Sequence, residues 1–157
     1  MTFQLPSTRA LVALLALTTL LAACSDDSDP NPPPTEGMSW TVGGSAVAAN
    51  SYQPNVSGTD ITLTGSSISS TAFSSVTLTL PLQTGTYNLA TVGTDIKAVY
   101  VAGTGTTSGT AYYATSGTAT VTSVSATKFV GTFSFSGADA NGGATKSISN
   151  GKFNVTL

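Results

Sequence analysis

Hydrophobic and polar residues alternate with a period of two through most of residues 38–157, which is the pattern of half-buried β-strands. Near the start of this region Met38, Trp40 and Val42 fall on one strand face, with Ser39 and Thr41 on the other. The spacing of an amphipathic helix does not occur after the first 24 residues. The pattern therefore predicts a domain made of strands, with almost no helix.

The same alternation predicts further strands, separated by residues that favour turns. Gly43-Gly44 predicts a two-residue hairpin turn into a strand over residues 45–49, and Pro81 should end a strand because it cannot donate a ladder hydrogen bond. The other predicted strands contain Ile61 and Leu63; Val76, Leu78 and Leu80; residues 85–89, 96–102, 110–114 and 118–124; and Phe129, Phe133 and Phe135.

The C-terminal residues allow two interpretations of Asn150-Gly151. As a tight turn, this dipeptide would place Ile148 opposite Phe153, on one apolar face of a hairpin. The agreement between register and pattern favours the hairpin. The alternative is a glycine bulge within one continuous strand.

The strand spacing indicates the fold class. Roughly nine or ten short strands, repeating about every 8–12 residues with turn-formers between them, are typical of an antiparallel β-sandwich or a flattened barrel. The length of 157 residues suits one domain. We expect residues 38–157 to form a single all-β domain.

The N-terminus has the composition of an export signal. Arg9 precedes an apolar run over residues 10–23, which is shorter than the about 20 residues needed to cross a bilayer. The run ends in Leu21-Ala22-Ala23-Cys24, which resembles the lipobox of bacterial lipoproteins. That resemblance implies removal of residues 1–23 and acylation of Cys24, with palmitate among the expected chains, so that membrane lipid holds the protein. The alternative is an ordinary secretory signal with a cysteine present by chance.

Residues 24–37 are predicted to be a disordered, acidic and proline-rich tether. Ser25, Asp26 and Asp27 follow Cys24 and resemble the export tag of surface lipoproteins in one group of Gram-negative bacteria. No Asp directly follows the cysteine, so there is no obvious inner-membrane retention signal. We expect a lipid-anchored protein of the bacterial outer membrane at the cell surface, with the periplasmic face as the alternative.

Composition excludes several kinds of chemistry. With no His and one Cys, the chain cannot form Ser-His-Asp or Cys-His triads, histidine-ligated metal sites or multi-thiolate zinc sites. Residues 38–157 hold four Lys and three Asp, a net charge of +1, which lacks the clustered positive charge that nucleic-acid binding requires. We expect no enzyme activity, no cofactor, no metal and no nucleic-acid partner.

Three short motifs partly match functional sites, and each has a structural interpretation that we favour. Residues 125–128 have the S-x-x-K spacing of Ser-Lys enzymes but lie between predicted strands, which indicates a hairpin turn. Residues 103–109 are glycine-rich but open no helix that could bind phosphate, which indicates a loop. Residues 139–143 resemble the start of a calcium loop but offer one carboxylate, which indicates an Asx turn.

The remaining candidates are carboxylates and tyrosines. Asp60, Asp95 and Asp139 are far apart in sequence, and two of them would have to meet at about 5–10 Å to form a glycosidase pair. Tyr112 and Tyr113 are adjacent, so in a strand their side chains point to opposite faces. One of these tyrosines must therefore point to the outer face of the sheet. There it could stack on a neutral glycan.

Two segments carry a resemblance to a known family. Residues 131–135 (GTFSF) and 150–153 (NGKF), with an early W-x-V-x-G hairpin at residues 40–44, resemble a family of short bacterial outer-membrane and surface lipoproteins of unknown function. Residues 85–89 also fit the family pattern. The resemblance implies an all-β exported domain, and it brings no active site.

Together these observations predict a membrane-anchored, non-catalytic binding or scaffold module. One alternative is a structural subunit of an envelope complex that recognises a partner protein through an exposed strand edge. Another is a lectin-like module that binds a neutral glycan. A hydrolase that uses carboxylates alone is a minor alternative.

Overall fold

The computed structural model describes residues 36–90, 95, 97–105, 109–140 and 143–157. The described residues contain no helix, and so none that could span a membrane. They form ten strands: β1 (Gly37–Val42), β2 (Ser45–Ala48), β3 (Ser51–Ser57), β4 (Asp60–Ile68), β5 (Ala72–Pro81), β6 (Gly85–Asn88), β7 (Lys97–Thr104), β8 (Thr110–Val124), β9 (Lys128–Asp139) and β10 (Thr145–Thr156).

All strand pairs are antiparallel, in the order β2-β1-β10-β9-β8-β7-β5-β4-β3, and β6 pairs with the second half of β8. The strands form one strongly curled half-barrel sheet. The predicted all-β antiparallel fold is therefore confirmed. Of the two architectures considered, the curled sheet is closer to the flattened barrel than to a sandwich of two separate sheets.

The two edge strands of the sheet follow each other in the chain. β2 pairs only with β1 and β3 pairs only with β4, and the residues Ala49 and Asn50 join them. The amide of Ala49 donates to the carbonyl of Met38 at 2.9 Å, and the amide of Asn50 donates to that of Ser66 at 2.9 Å. The chain thus crosses from one edge of the sheet to the other within two residues.

The inner face of the curled sheet is the hydrophobic core. Trp40 is fully buried, and the predicted inward positions of β4, β5 and β9 are also buried. Gly43 and Gly44 have φ angles of 59° and 80°, as expected for the predicted β1–β2 hairpin turn. The largest fully buried side chains are Trp40, Phe129, Phe153, Met38, Ile61, Leu63, Leu78, Leu80, Ile148, Val76 and Val155.

Phenylalanine residues of the core lie opposite glycines on neighbouring strands. In the register of the sheet, Phe135 faces Gly117, Phe133 faces Gly151, and Phe153 faces Gly131. A Cβ added to Gly151 would lie 2.5 Å from the ring of Phe133, and one added to Gly117 would lie 2.5 Å from the Cβ of Phe135. The GTFSF and NGKF segments are therefore packing motifs that bring β8, β9 and β10 close together.

Two bulges bend the long strand β8, which the sequence predicted as two strands. Thr115 and Thr122 are extra residues relative to β9. Each donates its side-chain hydroxyl to a β9 carbonyl, Thr115 to Ser136 at 3.1 Å and Thr122 to Val130 at 3.2 Å. The polar residues around 115–117 thus mark a bulge in one strand of 15 residues, and not a break between two.

The hairpin predicted at Asn150-Gly151 is wrong, and the alternative of a bulge is correct. β10 runs without interruption over Thr145–Thr156, and Ile148 pairs with Phe135 while Gly151 pairs with Phe133. Asn150 has a positive φ of 49° and Gly151 does not, whereas a type I′ turn needs positive φ at both central residues. Ile148 and Phe153 both reach the core, because the extra residue in the bulge between them brings both side chains to the same face.

Strand β3 was not predicted, because its sequence is polar and contains Pro54. Proline is tolerated in a strand at the edge of a sheet, where its missing N–H does not break a central ladder. Pro81 likewise lies within β5 as its last residue. Hydrophobic alternation alone could not identify β3, which packs few large apolar side chains.

We expect Gly131→Ala to destabilise the protein by about 1–3 kcal/mol, the usual effect of overpacking. The new methyl group would overlap the ring of Phe153 and the carbonyl oxygen of Thr120. The carbonyl oxygen belongs to the backbone and cannot move away. Urea unfolding followed by circular dichroism would measure the loss. Gly143→Ala is the matched control, because the nearest atom to its Cβ is 3.9 Å away, and a similar loss in both variants would contradict the packing argument.

Candidate functional site

A groove lined by Thr and Ser side chains lies on the outer face of the sheet, across β8, β9 and β10. It has a volume of about 460 Å³. Side chains that alternate with the buried Ala119, Phe133 and Phe153 point into it. The residues that line it are Thr118, Thr120, Thr132, Phe133, Ser134, Ser149, Asn150, Gly151 and Lys152.

The register of the sheet brings the groove hydroxyls together. Thr118 lies opposite Ser134, and Thr120 lies opposite Thr132. On the other side of β9, Lys152 also lies opposite Thr132. Three neighbouring strands therefore contribute polar side chains to one surface.

Asn150 stands at the rim of the groove, at the bulge of β10. Among the described residues, Asn150 is the single non-glycine residue with a positive φ. Asparagine tolerates the left-handed region better than most residues, yet such positions are uncommon. Residues held in unfavourable backbone conformations often occur at functional sites, and this one shapes the surface of the groove.

A second hollow continues the groove along the same strands. It has a volume of about 240 Å³ and shares Ser134 and Ser149 with the groove. Its further polar lining comes from Ser116, Ser136 and Ser147. The outer face of β8–β10 thus carries an elongated depression with a lining rich in hydroxyl groups.

The hydroxyls of β4 and β5 form a useful contrast with those of the groove. On the outer face of that strand pair, Thr62 bonds Thr79 and Thr64 bonds Thr77, both at 3.2 Å. Ser66 donates to Ser75 at 3.2 Å in the next row. These hydroxyls satisfy each other across the strands.

The groove hydroxyls are satisfied less completely. Thr120 bonds Thr86 at 3.1 Å. The side-chain hydroxyls of Thr118, Thr132 and Ser134 make no hydrogen bond to the described part of the chain. They are exposed and can bind a ligand without breaking an internal bond.

The two tyrosines singled out by the sequence lie on opposite faces of β8, as predicted. Tyr112 is 8 % exposed and its ring centre lies 6.0 Å from that of Tyr100, whereas Tyr113 is 54 % exposed on the outer face. Tyr113 pairs with Val99 and Ala138 in the register. The structure does not bring the two rings into one site.

Residues 125–128 form the hairpin turn between β8 and β9, as expected. The amide of Ser125 donates to the carbonyl of Lys128 at 2.9 Å, and the Oγ of Ser125 accepts from the amide of Lys128 at 3.0 Å. The amine of Lys128 donates to the Oδ1 of Asn154 at 3.5 Å. The Ser125 oxygen thus caps the turn.

In the loop after β9, Asp139 accepts a bond from a backbone amide four residues on, whereas the predicted Asx turn needs the amide two residues on, and residues 141–142 lie outside the described residues. The amide of Gly143 donates to the Oδ1 of Asp139 at 2.9 Å, and the amide of Asp139 donates to the carbonyl of Ala144 at 3.0 Å. In the described ranges no three His, Cys, Asp or Glu side chains gather as a metal site would require. The loop predicted at 103–109 begins too early, because β7 extends to Thr104, and residues 106–108 lie outside the described residues.

A contact between Glu36 and Tyr52 is not predicted by any sequence pattern. The hydroxyl of Tyr52 donates to the Glu36 carboxylate, and the Tyr52 ring packs 3.6 Å from the position of a Cβ on Gly37. This hydrogen bond lowers the pKa of Glu36, helped by a bond from Thr156 and by the charge of Lys128. The same bond raises the pKa of Tyr52. The contact joins β3 to the start of β1.

Cys24, Ser25, Asp26 and Asp27 lie outside the described residues, so their predicted roles as lipidation site and export tag stay predictions. The first strand of the described residues begins at Gly37. Any attachment through the N-terminal segment therefore enters the domain at Glu36, beside Tyr52 and the end of β10.

Comparison with known proteins identifies the domain. A family model described as a domain of unknown function (DUF6252) matches residues 39–155. The chain belongs to this family. No curated protein matches the chain, and no solved structure matches it. The DUF6252 match extends from β1 to β10, so the glycine–phenylalanine pairs and the groove all lie within the family domain.

Sequence reasoning missed the groove for a specific reason. The alternation of apolar and polar residues shows which side of a strand is outside but not whether that side is hollow. The Asn-Gly dipeptide at residues 150–151 was the available signal. Interpreted as a bulge, it marks the place where the outer surface of β10 changes shape.

We expect Tyr52→Phe to raise the pKa of Glu36 towards its ordinary value, because the hydrogen bond from Tyr52 is the main cause of the lowered pKa. Carboxyl NMR shifts followed through an acid titration would measure it. The lowered pKa stabilises the fold above the unfolded pKa of Glu, and this contribution is lost as the pH falls through the folded pKa. The raised pKa of Tyr52 stabilises the fold below the unfolded pKa of Tyr, about 10. This contribution is lost as the pH rises through the folded pKa of Tyr52.

Tyr87→Phe is the matched control for this titration. The hydroxyl of Tyr87 donates to the carbonyl of Gln83 at 2.8 Å, within the β5–β6 connection. This change should leave the pKa of Glu36 where it is. An unchanged Glu36 titration in Tyr52→Phe would contradict the assigned contact.

Proposed function

We propose that this DUF6252 protein is a lipid-anchored, non-catalytic binding module of the bacterial outer membrane, displayed at the cell surface. The single observation that carries the proposal is the sequence Leu21-Ala22-Ala23-Cys24 at the end of an apolar leader. An acylated Cys24 would keep the domain on the membrane, since each buried methylene contributes about 0.8 kcal/mol. The domain would then act where the anchor holds it.

The arrangement of charged groups supports a role without catalysis. Asp60 pairs with Pro81 at one end of the sheet, and Asp139 pairs with Tyr112 at the other end. These two carboxylates are therefore separated by the length of the strands. The Oγ of Ser125, next to Lys128, accepts backbone hydrogen bonds from its own turn.

The shape of the sheet supports binding through a face over binding through an edge. β2 is a short edge strand of four residues, and β3 contains Pro54. Short strands and prolines are common ways to keep an edge from pairing with another chain. The outer face of β8–β10 offers instead a groove with exposed hydroxyls. A scaffold role through a strand edge, the alternative raised by the sequence, has less support.

We expect Cys24→Ala to release the protein from the membrane fraction, because no acyl chain can then be attached. Fractionation of cells followed by immunoblotting measures the change. Ser28→Ala, in the same segment, is a control that should stay with the membrane. Continued sedimentation of Cys24→Ala with the outer membrane would contradict the lipid anchor.

We expect replacement of Asp26 and Asp27 by Ala to abolish cleavage by protease added to intact cells, because the acidic tag would be lost while the anchor stays. The readout is the loss of full-length protein after protease treatment. Replacing Asp29 alone by Ala, two residues beyond the last residue of the tag, is the control. Unchanged cleavage in the double variant would refute the role of Asp26 and Asp27 as an export tag and leave the anchor untouched.

A further inference from the structure

We propose that the outer groove of β8–β10 binds a neutral oligosaccharide. The inference rests on the proposed binding role and names the ligand class and the site. The lining of the groove does not include Tyr113, whose exposed ring the sequence singled out for glycan contact and which pairs with Val99 and Ala138.

The unbonded hydroxyls of the groove favour a ligand made of hydroxyl groups. A Ser or Thr hydroxyl can both donate and accept a hydrogen bond, and sugar hydroxyls have the same dual capacity. Thr118, Thr132 and Ser134 keep this capacity available, whereas the Thr62–Thr79 and Thr64–Thr77 pairs use it on each other. The contrast within one sheet distinguishes the groove from a merely solvated surface.

The lining of the groove disfavours other classes of ligand. It contains one cationic side chain, Lys152, and no carboxylate, which is too little charge for a polyanion. Phe133 at the floor is only 3 % exposed, so the groove offers no open aromatic face. A neutral, polyhydroxylated ligand matches the groups that remain.

The groove is also supported from the inside by rigid packing. The ring of Phe133 lies against Gly151, directly under the bulge at Asn150. Phe133 and Phe153 stack with ring centres 6.5 Å apart, and Phe129 and Phe153 with centres 5.2 Å apart. Hydroxyls on a fixed sheet lose little freedom when a ligand binds, which limits the entropic cost. The elongated depression formed with the second hollow suits a chain of sugars better than a single ring.

The test measures oligosaccharide binding to the full chain, as purified from cells, by saturation-transfer NMR. The probes are maltohexaose, cellohexaose, mannohexaose and xylohexaose, with an oligogalacturonate as the acidic comparison. The groove variant combines Thr132→Val with Ser134→Ala, which keeps the strand and removes two hydroxyls. The control variant combines Thr62→Val with Thr79→Val, which removes a bonded pair on the same face of the sheet.

We expect at least one neutral probe to bind, with an affinity about tenfold lower in the groove variant and unchanged in the control variant. Asn150→Gly adds a second variant that keeps the left-handed backbone and removes the amide, and it should also weaken binding. Circular dichroism shows that each variant is folded.

No transfer to any neutral probe, equal affinity in the groove variant, or tighter binding of the acidic probe would each overturn the proposal. A negative result here would not affect the proposed function, because fractionation of Cys24→Ala tests the anchor independently. If Cys24→Ala stayed with the membrane while the groove bound sugar, the result would support the groove as a binding site. It would contradict the proposed lipid anchor.

Discussion

The packing of phenylalanine rings on glycines between β8, β9 and β10 is the contact on which the rest of this sheet depends. Each ring occupies space that a side chain on the facing glycine would need, so the strands approach closely and the sheet curls. The curl encloses Trp40 and the aliphatic residues of β4 and β5 in one core. It also fixes the outer surface, because the same three strands carry the hydroxyl-lined groove.

The class of fold could be predicted from alternation because the inward positions are clearly apolar. Met38, Trp40 and Val76 were assigned to the core and are buried there. Three details could not be predicted. The extra residues Thr115 and Asn150 shift the register by one, and period-two patterns do not distinguish a bulge from a turn. Strand β3 is held by its pairing with β4 and not by hydrophobic side chains.

The candidate site was less predictable than the fold, since it depends on relations between strands that are distant in sequence. Nothing in the local sequence distinguishes Thr132 from Thr64, although one hydroxyl is open and the other is paired with Thr77. The contact of Glu36 with Tyr52 escaped prediction for the same reason. Local composition placed Glu36 in a tether, while the curl of the sheet brought a tyrosine from an edge strand next to it.

The pairing of the first strand with the last has a consequence for how the protein matures. Gly37 of β1 lies opposite Asn154 of β10, so the strand nearest the N-terminus meets this partner only after almost the whole chain has been made. Contacts between distant residues slow folding, because a long loop must close first. A chain made from its N-terminus would thus complete its sheet late, and loss of the final residues would leave β1 paired with β2 alone.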